Sequence, residues 1–98
     1  MIKHVVMIKL LDKDKKKELN IQTLKDKLDS LKNKIPEVKS LETGINISTR
    51  ISAFDLVLIS EFNSQEDLDK YIVHPAHQEV ISFLKDIKDD IVVVDYEF

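Results

Sequence analysis

Hydrophobic positions along the chain change period four times, and each change marks a new element. From Ile2 to Leu11 they alternate, with Ile2, His4, Val6, Ile8 and Leu10 on one side and Val5, Met7 and Leu11 on the other. This alternation, with its β-branched residues, predicts a strand that is largely apolar on both faces. Between Asp12 and Lys34 the spacing becomes three and four. Ile21, Leu24, Leu28, Leu31 and Ile35 then form the stripe of a helix, with Asp12 or Asp14 as N-cap and Pro36 as its stop. Alternation returns over Val38–Ile47, where Leu41, Thr43, Ile45 and Ile47 share a side and Gly44 is the only glycine in the chain. Ser48–Ala53 reads as a connection, and Phe54–Phe62 as a third strand with Phe54, Leu56, Leu58 and Phe62 facing one way and Val57 and Ile59 the other.

Asn63 and Ser64 offer N-caps to a short helix with Leu68, Tyr71 and Ile72 on its stripe, and Glu66 and Asp67 favour its first turn. Pro75 ends that helix and opens another, with His74 as a candidate cap and His77, Val80, Ile81, Leu84 and Ile87 as the stripe. Asp89-Asp90 punctuates the chain before a last strand over Ile91–Phe98.

The resulting order of strand, helix, strand, strand, helix, strand is the ferredoxin-like βαββαβ pattern of an α+β protein. It predicts one domain over residues 1–98 with an antiparallel sheet and helices on one face. The helices cover only one sheet face, yet strands one, three and four are apolar on both. The expected solution is a homodimer closed sheet against sheet into an α/β barrel.

Composition narrows the function classes. A net charge of −3 with scattered lysines leaves no basic face for nucleic acid, since Lys15, Lys16 and Lys17 are interleaved with Asp12, Asp14 and Glu18. Zero cysteines exclude a disulfide or cysteine-based metal site and fit a cytoplasmic protein. No apolar run reaches the roughly 20 residues of a membrane span, and Lys3 and Lys9 interrupt the apolar N-terminal stretch, unlike a signal peptide. A single glycine rules out a glycine-rich phosphate loop.

Candidate chemistry concentrates in Tyr71–His77, which holds two of the three histidines and one of the two tyrosines. His77 falls on an inward stripe, where burial would favour the neutral imidazole of a general base. The same placement fits a buried histidine bonded to a backbone carbonyl. Tyr71, on the preceding stripe, would be either a hydrogen-bond donor to a substrate oxygen or core packing. His4 shares its strand face with Val6 and Ile8 and would approach the pair. His74 and His77 have metal-like spacing but no third ligand, so neither a metal nor a cofactor is expected.

Ile2-Lys3-His4-Val5-Val6, Ile35-Pro36-Glu37-Val38-Lys39-Ser40-Leu41, Phe54-Asp55-Leu56-Val57-Leu58, Tyr71-Ile72-Val73-His74-Pro75-Ala76-His77 and Asp95-Tyr96 together resemble the stress-responsive dimeric α/β-barrel (Dabb) family. The resemblance spans nearly the whole chain. It implies a homodimer with a pocket for an apolar or aromatic small molecule between sheet and helices. In a plant polyketide cyclase of this family, the positions matching His77 and Tyr71 act as general base and hydrogen-bond donor in an aldol cyclisation, without a metal. His4 matches a pocket-side histidine. Three functions therefore stand as expectations: a small-molecule-binding dimer, a cyclase- or isomerase-like enzyme, and a non-catalytic structural dimer.

Overall fold

A computed structural model describes all residues, 1–98. The elements are β1 (Ile2–Leu10), α1 (Lys17–Asp29), α2 (Leu31–Lys34), β2 (Ser40–Ile45), β3 (Leu56–Phe62), α3 (Gln65–Val73), α4 (Pro75–Leu84) and β4 (Lys88–Glu97). The four strands form one antiparallel sheet in the order β2-β3-β1-β4. The ferredoxin-like expectation holds: the helical segments pack their apolar stripes on one face of a four-stranded antiparallel sheet.

Ile2, His4, Val6, Ile8 and Leu10 of β1 are all buried on the helix side. Leu56, Leu58, Ser60 and Phe62 of β3 join them there. Leu24, Leu28, Leu31, Leu68, Val80 and Leu84 close the core from the helices. The opposite face carries no helix. Its centre is the apolar rows Val57–Met7–Val92 and Ile59–Val5–Val94, and its rim at one end is Glu61–Lys3–Tyr96. Met7, Val92, Val94 and Tyr96 are exposed there, which is the apolar face anticipated from the sequence.

Several boundaries differ from the sequence reading, each for a local reason. The first helix starts at Lys17 without a side-chain cap, so neither Asp12 nor Asp14 caps it. Asp14 and Lys15 instead take left-handed backbone angles (φ 56° and 57°) that turn the chain into the helix. Ser30 divides the predicted single helix, its hydroxyl donating to the Lys27 carbonyl at 2.7 Å. Ile35 is then extended (φ −121°, ψ 107°), as the residue before Pro36 must be. β2 stops at Ile45, leaving Ile47 in the open. Residues Asp89 and Asp90 lie within β4 and not before it, because a bulge between Lys9 and Leu10 carries the ladder back to Lys88.

That bulge is secured by Asp55. Its carboxylate accepts the Leu10 backbone N–H at 2.8 Å and pairs with Lys17 at 3.3 Å. Its own N–H donates to the Ile8 carbonyl at 2.9 Å. Asp55→Ala strands the Leu10 amide in the core, and should lower the unfolding free energy by about 1–3 kcal/mol with an unchanged urea m-value. An unaltered midpoint would mean that water replaces the carboxylate.

Candidate functional site

The histidine-bearing segment is built by two capped helix starts. The Ser64 hydroxyl accepts the Asp67 N–H at 3.2 Å and opens α3, which carries Tyr71 inward. Pro75 at the first position of α4 forces a break. His74 bridges it, with Nδ1 accepting the Ala76 N–H at 3.0 Å. His74 is therefore a cap, and α4 can point His77 back toward the end of α3.

There the His77 ring meets Tyr71, with centroids 4.7 Å apart, and its Nδ1 lies 2.9 Å from the Ile72 carbonyl oxygen. A carbonyl only accepts, so Nδ1 is the protonated nitrogen and Nε2 carries the free lone pair. Partial burial holds the His77 pKa below the ordinary imidazole value. The bond to the Ile72 carbonyl works against this shift, and nearby His4 adds to it. Neutral at pH 7 with a free Nε2, His77 has the protonation state of a base. One nitrogen of the ring is satisfied by a backbone carbonyl, as in the buried-histidine reading, and the other is uncommitted.

His4 is held the same way. It faces Asp95 across the β1–β4 ladder, and its Nδ1 sits 2.5 Å from an Asp95 carboxylate oxygen. Nδ1–H donates to the carboxylate, and Nε2 has no protein hydrogen-bond partner. Asp95 was not singled out from the sequence as a site residue. Finding it requires the register of β1 against β4, and the bulge at Lys9 makes that register illegible from pattern alone. Ser60, the β3 partner of His4, is fully buried and its hydroxyl has no hydrogen-bond partner.

His4, His77 and Asp95 line one recess of about 250 Å³ between the sheet and the helices. Its floor is Val6, Ile8, Leu58, Ile91 and Val93, and its wall includes Ile72, Val80, Ile81 and Leu84. The recess exists because the helices lie over β1, β2 and β3 while β4 packs chiefly on β1. The inner face of β4 is thereby left open, with Val93 52% exposed.

Tyr71 is close to this group without lining the recess. It is fully buried, its ring stacking on Phe62 (5.0 Å) as well as His77 and lying 6.1 Å from His4. Its hydroxyl is enclosed with no hydrogen-bond partner, and burial pushes its pKa well above the usual phenol value. The structure thus brings His4, Tyr71 and His77 together, with the two imidazoles at the recess and the phenol behind them. No group of three or more metal-ligating side chains is present, and no helix is long and apolar enough to cross a membrane.

Comparison with known proteins gives a consistent family. The model of the Stress responsive A/B Barrel Domain matches residues 2–98. An Arabidopsis thaliana stress-response A/B barrel domain-containing protein, DABB1, is 33% identical over 104 residues. That match takes in 97% of this chain but only 46% of the Arabidopsis protein, so the chain spans about half the length of that relative. An uncharacterised Streptomyces coelicolor protein is 31% identical over the full length of both chains. Among solved structures, a dimeric protein of unknown function with a ferredoxin-like fold from Bacteroides fragilis superposes with a TM-score of 0.90. It is 30% identical, and the match covers 99% of this chain and 95% of that one.

Proposed function

The chain belongs to the stress-responsive A/B barrel domain family, and on that premise we propose that it works as a homodimer whose recess binds a predominantly apolar small molecule. One observation carries the binding reading. Two imidazoles, each with Nδ1 anchored by an oxygen, leave their Nε2 atoms uncommitted at an otherwise apolar recess. Few convergent polar groups in an apolar concavity is the pattern of a ligand site. A purely structural dimer has no need of it.

The dimer is supported by the uncovered sheet face and by the dimeric state of the Bacteroides relative. Sedimentation equilibrium at micromolar concentration should give twice the 11.4 kDa chain mass. Val94, exposed at 58% on the outer face opposite Val5, is the position to test. Val94→Lys would bury an unpaired charge and should weaken dimerisation by about tenfold or more without unfolding the chain. A wild-type monomer, or a Val94→Lys dimer of undiminished affinity, would remove the sheet-to-sheet arrangement.

A second reading has its own support. His77, neutral with a free Nε2, has the protonation state of a general base, so the bound molecule would be a carbon acid, such as a β-keto compound, that loses a proton to Nε2. His4, held by Asp95, stands beside it as the second proton-handling group. Tyr71 braces the His77 ring from behind. The donor role implied for it by family resemblance requires its hydroxyl to reach the recess, whose lining does not include Tyr71.

A further inference from the structure

We infer that the recess selects an uncharged amphipathic ligand, bound with its oxygen at the His4–Asp95–His77 end and its hydrocarbon part along the Val6–Ile8 floor. This rests on the binding reading above and adds the chemical class and the direction of the ligand.

The direction follows from the strand register. His4 faces Asp95, Val6 faces Val93 and Ile8 faces Ile91, so the floor passes from polar to apolar along one ladder. From His4 to Ile8 is four residues, about 13 Å of floor. Leu28, Val80, Ile81 and Leu84 close over the recess, and none of them offers a hydrogen bond from its side chain. A ligand with one polar end and a straight or flat apolar body matches that gradient, whereas one polar at both ends would leave a group unpaired.

The selection against charge follows from what the lining contains. No lysine or arginine lines the recess, and its one acidic side chain is Asp95. A ligand carboxylate or phosphate would lose hydration beside the Asp95 carboxyl group, with no lysine or arginine to offset the cost. The first two positions of α4 offer no free N–H. Pro75 has no N–H, and the Ala76 N–H is already taken by His74. Lys27 and Lys34 line a separate small cleft with Ala76 and Val80. The two Nε2 atoms, neither with a protein partner, instead suit a ligand hydroxyl.

A matched pair of probes, nonanol and nonanoate, tests this at pH 8 by heteronuclear NMR titration of the full chain. Nonanol should shift the signals of His4, His77, Val93 and Ile8 saturably, and nonanoate should bind at least about tenfold more weakly. Asp95→Asn, which keeps a side chain of the same shape without the charge, should narrow that ratio. Contacts from the nonanol methyl should fall on Ile8, Leu28 and Leu84. If nonanoate binds as tightly as nonanol, or the methyl contacts His4 instead, the inference fails and the binding reading survives. If neither probe perturbs the recess signals, the binding reading fails and takes the inference with it.

Discussion

Tyr71→Ala should remove about 3–5 kcal/mol of stability, while Tyr71→Phe should leave stability unchanged or raise it by about 1 kcal/mol or more. The two substitutions separate the ring from its hydroxyl. The ring is fully buried and packs on Phe62, His4 and His77, so truncation opens a cavity at the junction of α3, α4 and β1. A loss of that size is a large share of the 5–15 kcal/mol that holds a typical domain together. The hydroxyl, by contrast, is buried without a partner, so it carries a desolvation cost with no bond in return. Urea denaturation of both variants decides the matter. A Tyr71→Phe protein destabilised by more than about 1 kcal/mol would mean that the hydroxyl has a partner in solution. If stability rises but turnover falls tenfold, the hydroxyl reaches the ligand and Tyr71 is a donor as well as a brace.

The contrast between ring and hydroxyl shows where sequence legibility ends. Periodicity placed Tyr71 on an inward stripe, and it is inward. What period cannot tell is whether inward means facing a recess or sealed behind it, since that depends on how far α4 swings back at Pro75. His74 was readable as a cap because capping needs only neighbours in the chain. His4 and His77 were readable as candidates because each lies on a local stripe, but the oxygens that orient them are products of tertiary register and of the helix break. Asp95 sits between apolar β4 residues and gives no local sign that it faces a histidine 91 positions away. The recess itself was legible only through the family resemblance. It arises because the helices fall short of an edge strand, and no single segment encodes that shortfall.

On the general-base reading, His77→Ala should lower turnover of a β-keto compound by about 10²–10⁴-fold, while changing the unfolding free energy by less than about 1 kcal/mol. The asymmetry follows from how the residue is held. His77 is only half-buried, and the Ile72 carbonyl it engages also accepts Gln78 Nε2 at 2.7 Å, so that oxygen stays satisfied when the imidazole is gone. Little packing or hydrogen bonding is lost, whereas the Nε2 lone pair at the recess has no replacement on α4. The pH profile supplies an independent reading. On that reading turnover requires neutral His77, so the rate should fall as pH drops through its pKa. Because burial lowers that pKa, the acid limb should lie below the ordinary imidazole value of about 6.5. Stability has the same sign: folded His77 resists the proton that the unfolded chain accepts, so folding weakens as pH falls from about 6.5 through the lowered value. His77→Ala should remove that contribution along with the turnover. A variant that instead unfolds at neutral pH would make His77 a packing residue. A variant that folds and turns over normally would shift the base to His4, whose free Nε2 is the remaining candidate at the recess.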